Sequence, residues 1–285
     1  MSEVSILTLE RYKEQKRKII ALTAYDYSTG QMLDRAGVDV ILVGDSLAMV
    51  ALGEKTTHAV TVDQMLHHTQ AVRRGAERAL VVADLPFMSY QVEVSEAVRN
   101  AGRFVKEARA QAVKLEGASK LTLEIIERLV EMGVPVMGHV GFTPQSVHAM
   151  GGFRVQGKTA ERAIQIIEDA KALEKAGIFA VVLEMVPSAV AKVITTSLKI
   201  PTIGIGAGPH CDGQILVTDD LLGKYTDFKP SFVRRYANIA ELSQNAVKDY
   251  IKDVQSGSYP AKEESFKISE AEETALSKLV STKAP

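Results

Sequence analysis

Among its 285 residues the sequence has a single cysteine, Cys211, which excludes a disulfide within the chain. With no base predicted beside it, that thiol is expected to be inert. The chain has no apolar run long enough to span a bilayer, and residues Met1 to Lys18 carry charges where a signal peptide needs an apolar stretch. A cytoplasmic protein is therefore expected, with no membrane partner. Neither sign of charge is in excess: 34 Lys and Arg stand against 35 Asp and Glu. That balance gives no electrostatic reason to expect nucleic acid or an anionic membrane, and leaves a small molecule as the natural ligand. A Gly-x-Gly-x-x-Gly after the first strand-like run, the mark of a dinucleotide site, is also missing.

What the sequence does have is a repeated event, an unbroken apolar run that ends in a carboxylate. Ile41 to Val43 lead to Asp45, Leu80 to Ala83 lead to Asp84, Ala112 to Leu115 lead to Glu116, and Ala180 to Leu183 lead to Glu184. Runs without polar alternation read as strands buried on both faces, as in a parallel sheet. Eight strand-like runs begin near Ile19, Val38, Leu80, Ala112, Val134, Phe179, Pro201 and Gln214. Most are separated by a helical pattern, such as Val94, Ala97, Val98, Ala101, Phe104, Val105 and Ala108 at helical spacing. Thr61 with Gln64 offers a capping box, Thr159 a cap, and Gly37, Gly133 and Gly177 helix stops. Eight such units predict an α/β fold, a (βα)8 TIM barrel with a short polar helix (Leu7 to Gln15) before it. One catalytic domain is expected over residues 1–260, with helix from Pro230 to Val254. A charged tail is expected over 261–285, partly helical from Ile268 to Val280. The loop from Ser46 to Val60 and the glycine-rich stretch from Met150 to Gly157 are candidate lids.

In such a barrel the C-terminal strand ends form the active-site face. Asp45, Asp84, Glu116 and Glu184 are then expected around one mouth. Any one of them alone fits a turn acid or a helix cap equally well. Together, they repel one another unless a cation compensates them, and oxygen ligands without cysteine favour Mg²⁺ or another hard divalent ion. Lys114 and Glu116, two apart on a strand, point to the same side and form either a buried ion pair or a fixed cation for a substrate carboxylate or developing oxyanion. Glu184 reads as a fourth ligand or a general base. His139 reads as a core histidine or a substrate contact, and His67 and His68 as surface residues. Ile205 to Gly208 fits a phosphate loop or a tight turn.

Several segments resemble the ketopantoate hydroxymethyltransferase family: Thr23-Ala24-Tyr25-Asp26-Tyr27-Ser28, Val43-Gly44-Asp45-Ser46-Leu47, Ala71-Val72-Arg73-Arg74-Gly75, Ala83-Asp84-Leu85-Pro86-Phe87-Met88, Val113-Lys114-Leu115-Glu116-Gly117, Gly138 through Ser146, and Ile203 through Gly208. The resemblance runs in order from Leu7 to Phe266. It departs at Ala48, where glycine is expected, and at Glu54, Lys55 and His58 in the loop that follows. The resemblance implies transfer of a hydroxymethyl group from the co-substrate 5,10-methylenetetrahydrofolate to the 2-oxo acid 3-methyl-2-oxobutanoate, through an enolate, in a homo-oligomer that is usually a decamer. It implies that Asp45 and Asp84 bind Mg²⁺ with Glu116 in its environment, and that Ser46 and Lys114 help hold the 2-oxo acid. It resolves Glu184 to the base. With His139, the expected substrate contacts are thus Asp45, Ser46, Asp84, Lys114 and His139. Two readings compete. A lyase or mutase of the phosphoenolpyruvate mutase and isocitrate lyase group is opposed by the missing Lys-Lys-Cys-Gly-His signature. A barrel that binds a 2-oxo acid without turnover is opposed by the intact set of acids.

Overall fold

The structure, a computed structural model, describes residues 3–281. Eight parallel strands close into a barrel in sequence order. They are β1 (Ile19–Thr23), β2 (Val40–Val43), β3 (Leu80–Asp84), β4 (Ala112–Lys114), β5 (Val136–Gly141), β6 (Ala180–Glu184), β7 (Thr202–Ile205) and β8 (Gly213–Leu216). β8 returns to pair with β1, Ile19 opposite Gly213 and Leu22 opposite Leu216. Helix α1 (Ile6–Glu14) precedes the barrel. Between the strands run α2 (Tyr27–Ala36), the single turn α3 (Leu47–Val50), α4 (Val62–Gly75), α5 (Val94–Lys106), α6 (Lys120–Glu131), α7 (Ala160–Lys175) and α8 (Ser188–Ser197).

The apolar runs are unbroken because each strand buries both faces. Val40, Leu42, Val82 and Val182 point inward to one apolar cluster, whereas Ile41, Val43, Val81 and Val181 point outward to a second one shared with the helices. Helix starts follow the predicted caps. Thr61 and Gln64 form their reciprocal box, at 3.3 and 2.8 Å, and the Thr159 side chain accepts from the Arg162 amide. At the other end of the barrel, Val4 and Leu9 are buried in the inner cluster, with Ile6 and Tyr12 packed against it. Helix α1 therefore closes the N-terminal end of the barrel.

Three expectations need revision. The loop after Ser46 is more regular than predicted, because Ser46 starts α3 and Thr57–Ala59 form a 3-10 turn. The last strand, expected from Gln214 to Thr218, ends at Leu216, and Thr218 opens the short helix α9 (Thr218–Leu221). Its hydroxyl bonds the Thr23 carbonyl (2.5 Å), and its amide bonds the Thr23 hydroxyl (3.1 Å), which draws Thr218 out of the ladder. Residues 230–238 are not helical; the Tyr236 amide reaches the Leu221 carbonyl (2.8 Å) and Arg235 reaches the Tyr225 carbonyl (3.0 Å), contacts to earlier chain that a regular helix would not leave free.

The chain divides into two compact units at Tyr236, earlier than the expected boundary at 260. The second unit begins at Ala237 and holds α10 (Ile239–Ser256) and α11 (Glu270–Ser281), close to the helix expected in the tail. Helix α10 exposes Leu242, Val247, Tyr250, Ile251 and Val254. The last residues of the expected tail, 282–285, lie outside the described residues. Among those described, no helix is long and apolar enough to cross a membrane.

Candidate active site

The inward alternation of the strands is apolar near their starts and changes chemistry near their ends. On β3 the inward series Leu80, Val82 ends in Asp84, and on β4 Ala112 gives way to Lys114 and then Glu116. On β5 Met137 is followed by His139, and on β6 Val182 by Glu184. Side-chain alternation thus aims five polar groups at the upper barrel interior. Glu116 lies past the end of β4, yet its neighbours keep the ladder: the Leu115 amide bonds Met137 and the Gly117 amide bonds His139.

Asp45 arrives by another route. β2 ends at Val43, and the chain turns at Gly44, whose carbonyl accepts from the Leu47 amide. A Cβ at Gly44 would lie 2.9 Å from Ser46 Oγ and 3.4 Å from Asp84 Oδ2, so a larger residue would push the Ser46 hydroxyl aside. The turn brings Asp45 beside Asp84, whose Oδ2 accepts from the Asp45 amide at 3.2 Å. It also places the Ser46 hydroxyl 2.9 Å from the Tyr25 hydroxyl.

All predicted site residues line one cavity of about 450 Å³. Asp45, Asp84, Lys114, Glu116 and His139 are buried, and Glu184 is partly exposed. Lys114 Nζ donates to Asp84 Oδ1 at 2.6 Å and lies 3.8 Å from Glu116 Oε1. His139 stands between two carboxylates, its Nδ1 3.4 Å from Glu116 Oε1 and its Nε2 3.3 Å from Glu184 Oε2. Neither contact has hydrogen-bond alignment, so charge holds the ring.

The electrostatics follow from burial. Asp45 is pushed well above the usual carboxylate range by burial, then by Asp84 and Glu116, and Asp84 is raised by burial against the opposing pull of Lys114. Burial works against the Lys114 ammonium, but Asp84, Glu116 and Asp45 more than offset it and hold the amine above its ordinary value. Burial and Lys114 oppose a charge on His139, while Glu116 and Glu184 raise it, to about 9. Glu116 is lowered despite burial by His139 and Lys114.

Reading the sequence alone misses the residue at the centre of this network. The Gln145 side chain donates to Asp45 Oδ2 and to the Leu85 carbonyl, both at 2.9 Å, and accepts from Tyr90 Oη and Gln91 Nε2, both at 2.8 Å. Its amide donates to Glu116 Oε2 at 3.0 Å, and its carbonyl meets His58 Nε2 at 2.8 Å. The only signal for it in the sequence is its place in the segment after His139. His68 is likewise more than a surface residue: Nδ1 lies 2.6 Å from the carbonyl of Tyr25, the partner of Ser46. His67 is exposed, and Cys211 is buried with its thiol pushed up by burial. Gly206 has φ +61, and a Cβ there would meet the Phe232 ring at 2.9 Å, so the glycines after β7 serve close packing.

Among the described residues, no three His, Cys, Asp or Glu side chains converge closely enough to hold a metal ion by themselves. Asp45 and Asp84 nevertheless fit a hard cation. They are buried, adjacent and raised in pKa, a state that a positive charge beside them relieves. Mg²⁺ typically takes one or two carboxylates and completes its shell with water and substrate oxygens.

A closed parallel barrel with buried acids, a lysine and a histidine at its C-terminal mouth defines a (βα)8 enzyme scaffold. Solved structures with the same fold include phosphonopyruvate hydrolase in complex with oxalate and Mg²⁺ (TM-score 0.59, 12% identity, covering 98% of this chain and 97% of that one). Phosphoenolpyruvate phosphomutase from Streptomyces platensis subsp. rosaceus is another (TM-score 0.59, 13% identity, 89% and 88%). At these identities the likeness is one of fold. Within that fold the chain belongs to the ketopantoate hydroxymethyltransferase family, whose model matches residues 3–262. The 3-methyl-2-oxobutanoate hydroxymethyltransferase of Enterococcus faecalis is 55% identical over 264 residues, 93% of this chain and 96% of that protein. The protein of the same name from Clostridium beijerinckii is 52% identical over 268 residues, 94% and 97%.

Proposed function

We infer that the chain transfers a hydroxymethyl group from 5,10-methylenetetrahydrofolate to 3-methyl-2-oxobutanoate, forming ketopantoate. Family membership supports the reaction. The observation that supports the site is the line Asp84–Lys114–Glu116–His139–Glu184, a relay of alternating charge along the barrel wall facing one cavity.

In this reading Asp45 and Asp84 hold Mg²⁺, with Glu116 in its surroundings, and Asp45, Ser46, Asp84, Lys114 and His139 surround the oxo acid. Bound Mg²⁺ supplies polarisation of the keto group, which acidifies the proton on C3. Glu184 takes that proton. His139, 3.3 Å away, holds the carboxylate in place to receive it. Lys114, kept protonated by its acids, offers a fixed positive charge to the substrate carboxylate and to the enolate oxygen. Ser46 donates from a hydroxyl oriented by Tyr25. C3 of the enolate then bonds to the methylene carbon of the donor as one of its two C–N bonds breaks; water cleaves the other and leaves its hydroxyl on that carbon, while the water proton and the proton held by Glu184 go to the two nitrogens of the departing tetrahydrofolate. Apolar walls from Leu42, Val182 and Ile215 keep bulk water from the enolate.

Glu184→Gln is expected to bind 3-methyl-2-oxobutanoate but to lose exchange of the C3 proton with solvent deuterium, followed by NMR. Undiminished exchange would remove Glu184 as the base. The apolar residues exposed on α10 support assembly of several copies, and the single cysteine supports a cytoplasmic site of action.

A further inference from the structure

The oxo acid reading accounts for the floor of the cavity but not for its outer wall. That wall comes from α9, the glycine-rich loop after β5 and the segment between α9 and Tyr236. Phe142 is fully buried; Phe153 packs against it with ring centroids 5.1 Å apart, and Phe228 lies 6.4 Å beyond Phe153. Phe153 and Phe228 are each 53% exposed, so a chain of rings runs from the core to the lip of the cavity.

Asp220, on the same wall, is only 8% exposed, yet among the described residues its carboxylate makes no hydrogen bond and no ion pair. Its neighbour Asp219, by contrast, is paired with Lys224 at 3.1 Å. No side chain pairs with it directly, Arg235 acting on it only through charge, so its oxygens are left to solvent or to a ligand that supplies donors. The fold holds it rigidly: Thr218 is tied to Thr23 by two hydrogen bonds, and the Leu221 carbonyl accepts from Tyr236. The polar set at the floor and this wall belong to the same cavity.

A planar heteroaromatic ligand with two adjacent N–H donors on one edge matches this wall in both respects. The rings supply stacking surface, and a carboxylate accepts two parallel N–H bonds as it does from a guanidinium. The 2-amino-4-oxo edge of a pterin carries such a pair. We propose that Phe153, Phe228 and Asp220 form the subsite for the reduced pterin ring of the one-carbon donor, with Asp220 accepting from its N3–H and 2-amino groups. The inference rests on the proposed function, because it assigns the second substrate of that reaction to the unused half of the same cavity.

Tetrahydrofolate binding by calorimetry and the KM for each substrate test it. Asp220→Asn, whose amide cannot accept two parallel N–H bonds, and Phe228→Ala are each expected to weaken tetrahydrofolate at least tenfold. They should raise the KM for methylenetetrahydrofolate by a similar factor, well beyond any change for the oxo acid. Asp227→Asn, an exposed carboxylate on the same segment, serves as the control that should bind normally. Melting curves verify that each variant is folded. Tetrahydrofolate affinity within twofold of the original in both Asp220→Asn and Phe228→Ala overturns the subsite. Solvent-deuterium exchange at C3 without any folate reads the oxo-acid half separately. If the unaltered chain shows no such exchange and no tetrahydrofolate binding, the proposed function falls, and the subsite with it.

Discussion

Gln145 uses all of its side-chain hydrogen-bonding capacity within the site, two donors on Asp45 and Leu85 and two accepted bonds from Tyr90 and Gln91. Its role is to orient Asp45 from behind while its amide does the same for Glu116. Gln145→Leu has a similar volume but leaves Asp45, Tyr90 and the Leu85 carbonyl each short of a partner. A stability loss of about 2–4 kcal/mol is expected from these unpaired groups. Support lost behind a ligand typically weakens a metal about 10–100-fold, which a calorimetric Mg²⁺ titration of the folded variant would read. Undiminished affinity would show that Asp45 orients itself. Asp220 offers a second, oppositely signed test. Burial, then Asp219, push its carboxyl from 3.8 up to about 6, with Arg235 opposing. A raised folded-state value means that ionisation in the native state costs stability: nothing below the unfolded value, progressively more as pH rises through about 6, and the full amount above. Asp220→Asn should therefore stabilise the protein by up to about 2 kcal/mol at pH 8 and hardly at all at pH 3, in denaturant titrations at both. An equal gain at both pH values would mean that the charge is not the cause.

Single elements account for what could be read in advance. Each strand of the barrel carries its own signal, since burial on both faces demands consecutive apolar residues, and the acids or bases at or near the ends of β3, β4, β5 and β6 keep the inward parity of the strand before them. Asp84, Lys114, Glu116, His139 and Glu184 were thus visible as one side of a sheet. Apart from the family resemblance, Asp45 was visible only as an acid after a strand; the Gly44 turn that delivers it packs against Ser46 and Asp84, which no local pattern shows. Gln145 had no such signal. Its partners Asp45, Leu85 and Tyr90 lie 100, 60 and 55 residues away, and no local pattern encodes an encounter at that range. The same holds for residues 230–238, where contacts with Leu221 and Tyr225 override local helical preference. Asp220 was hidden because an unpaired acid looks like any other acid until its surroundings are known.

Across the whole barrel, chemistry is layered along the axis: an apolar filling from Ile19, Val40, Leu80 and Ala180 below, and the charged relay above it. The division matches physical need. The lower layers stabilise the closed sheet by burial, whereas the upper one carries repulsions that only a rigid frame tolerates. Helix α1, with Leu9 sunk into the inner cluster, closes the N-terminal end, so among the described residues the cavity is lined from the C-terminal half of the barrel. Traffic through that half has a sequence. With the oxo acid on the floor and the donor on the outer wall, as proposed, the oxo acid would have to enter before the donor covers it, and ketopantoate would have to wait until tetrahydrofolate has gone. Product inhibition should then show ketopantoate competing directly with 3-methyl-2-oxobutanoate, and tetrahydrofolate not competing with it. The reverse pattern would mean that the donor binds first and leaves last, with the oxo acid reaching the floor by another route. In this protein a helix outside the catalytic half of the barrel would thus set the order of events within it.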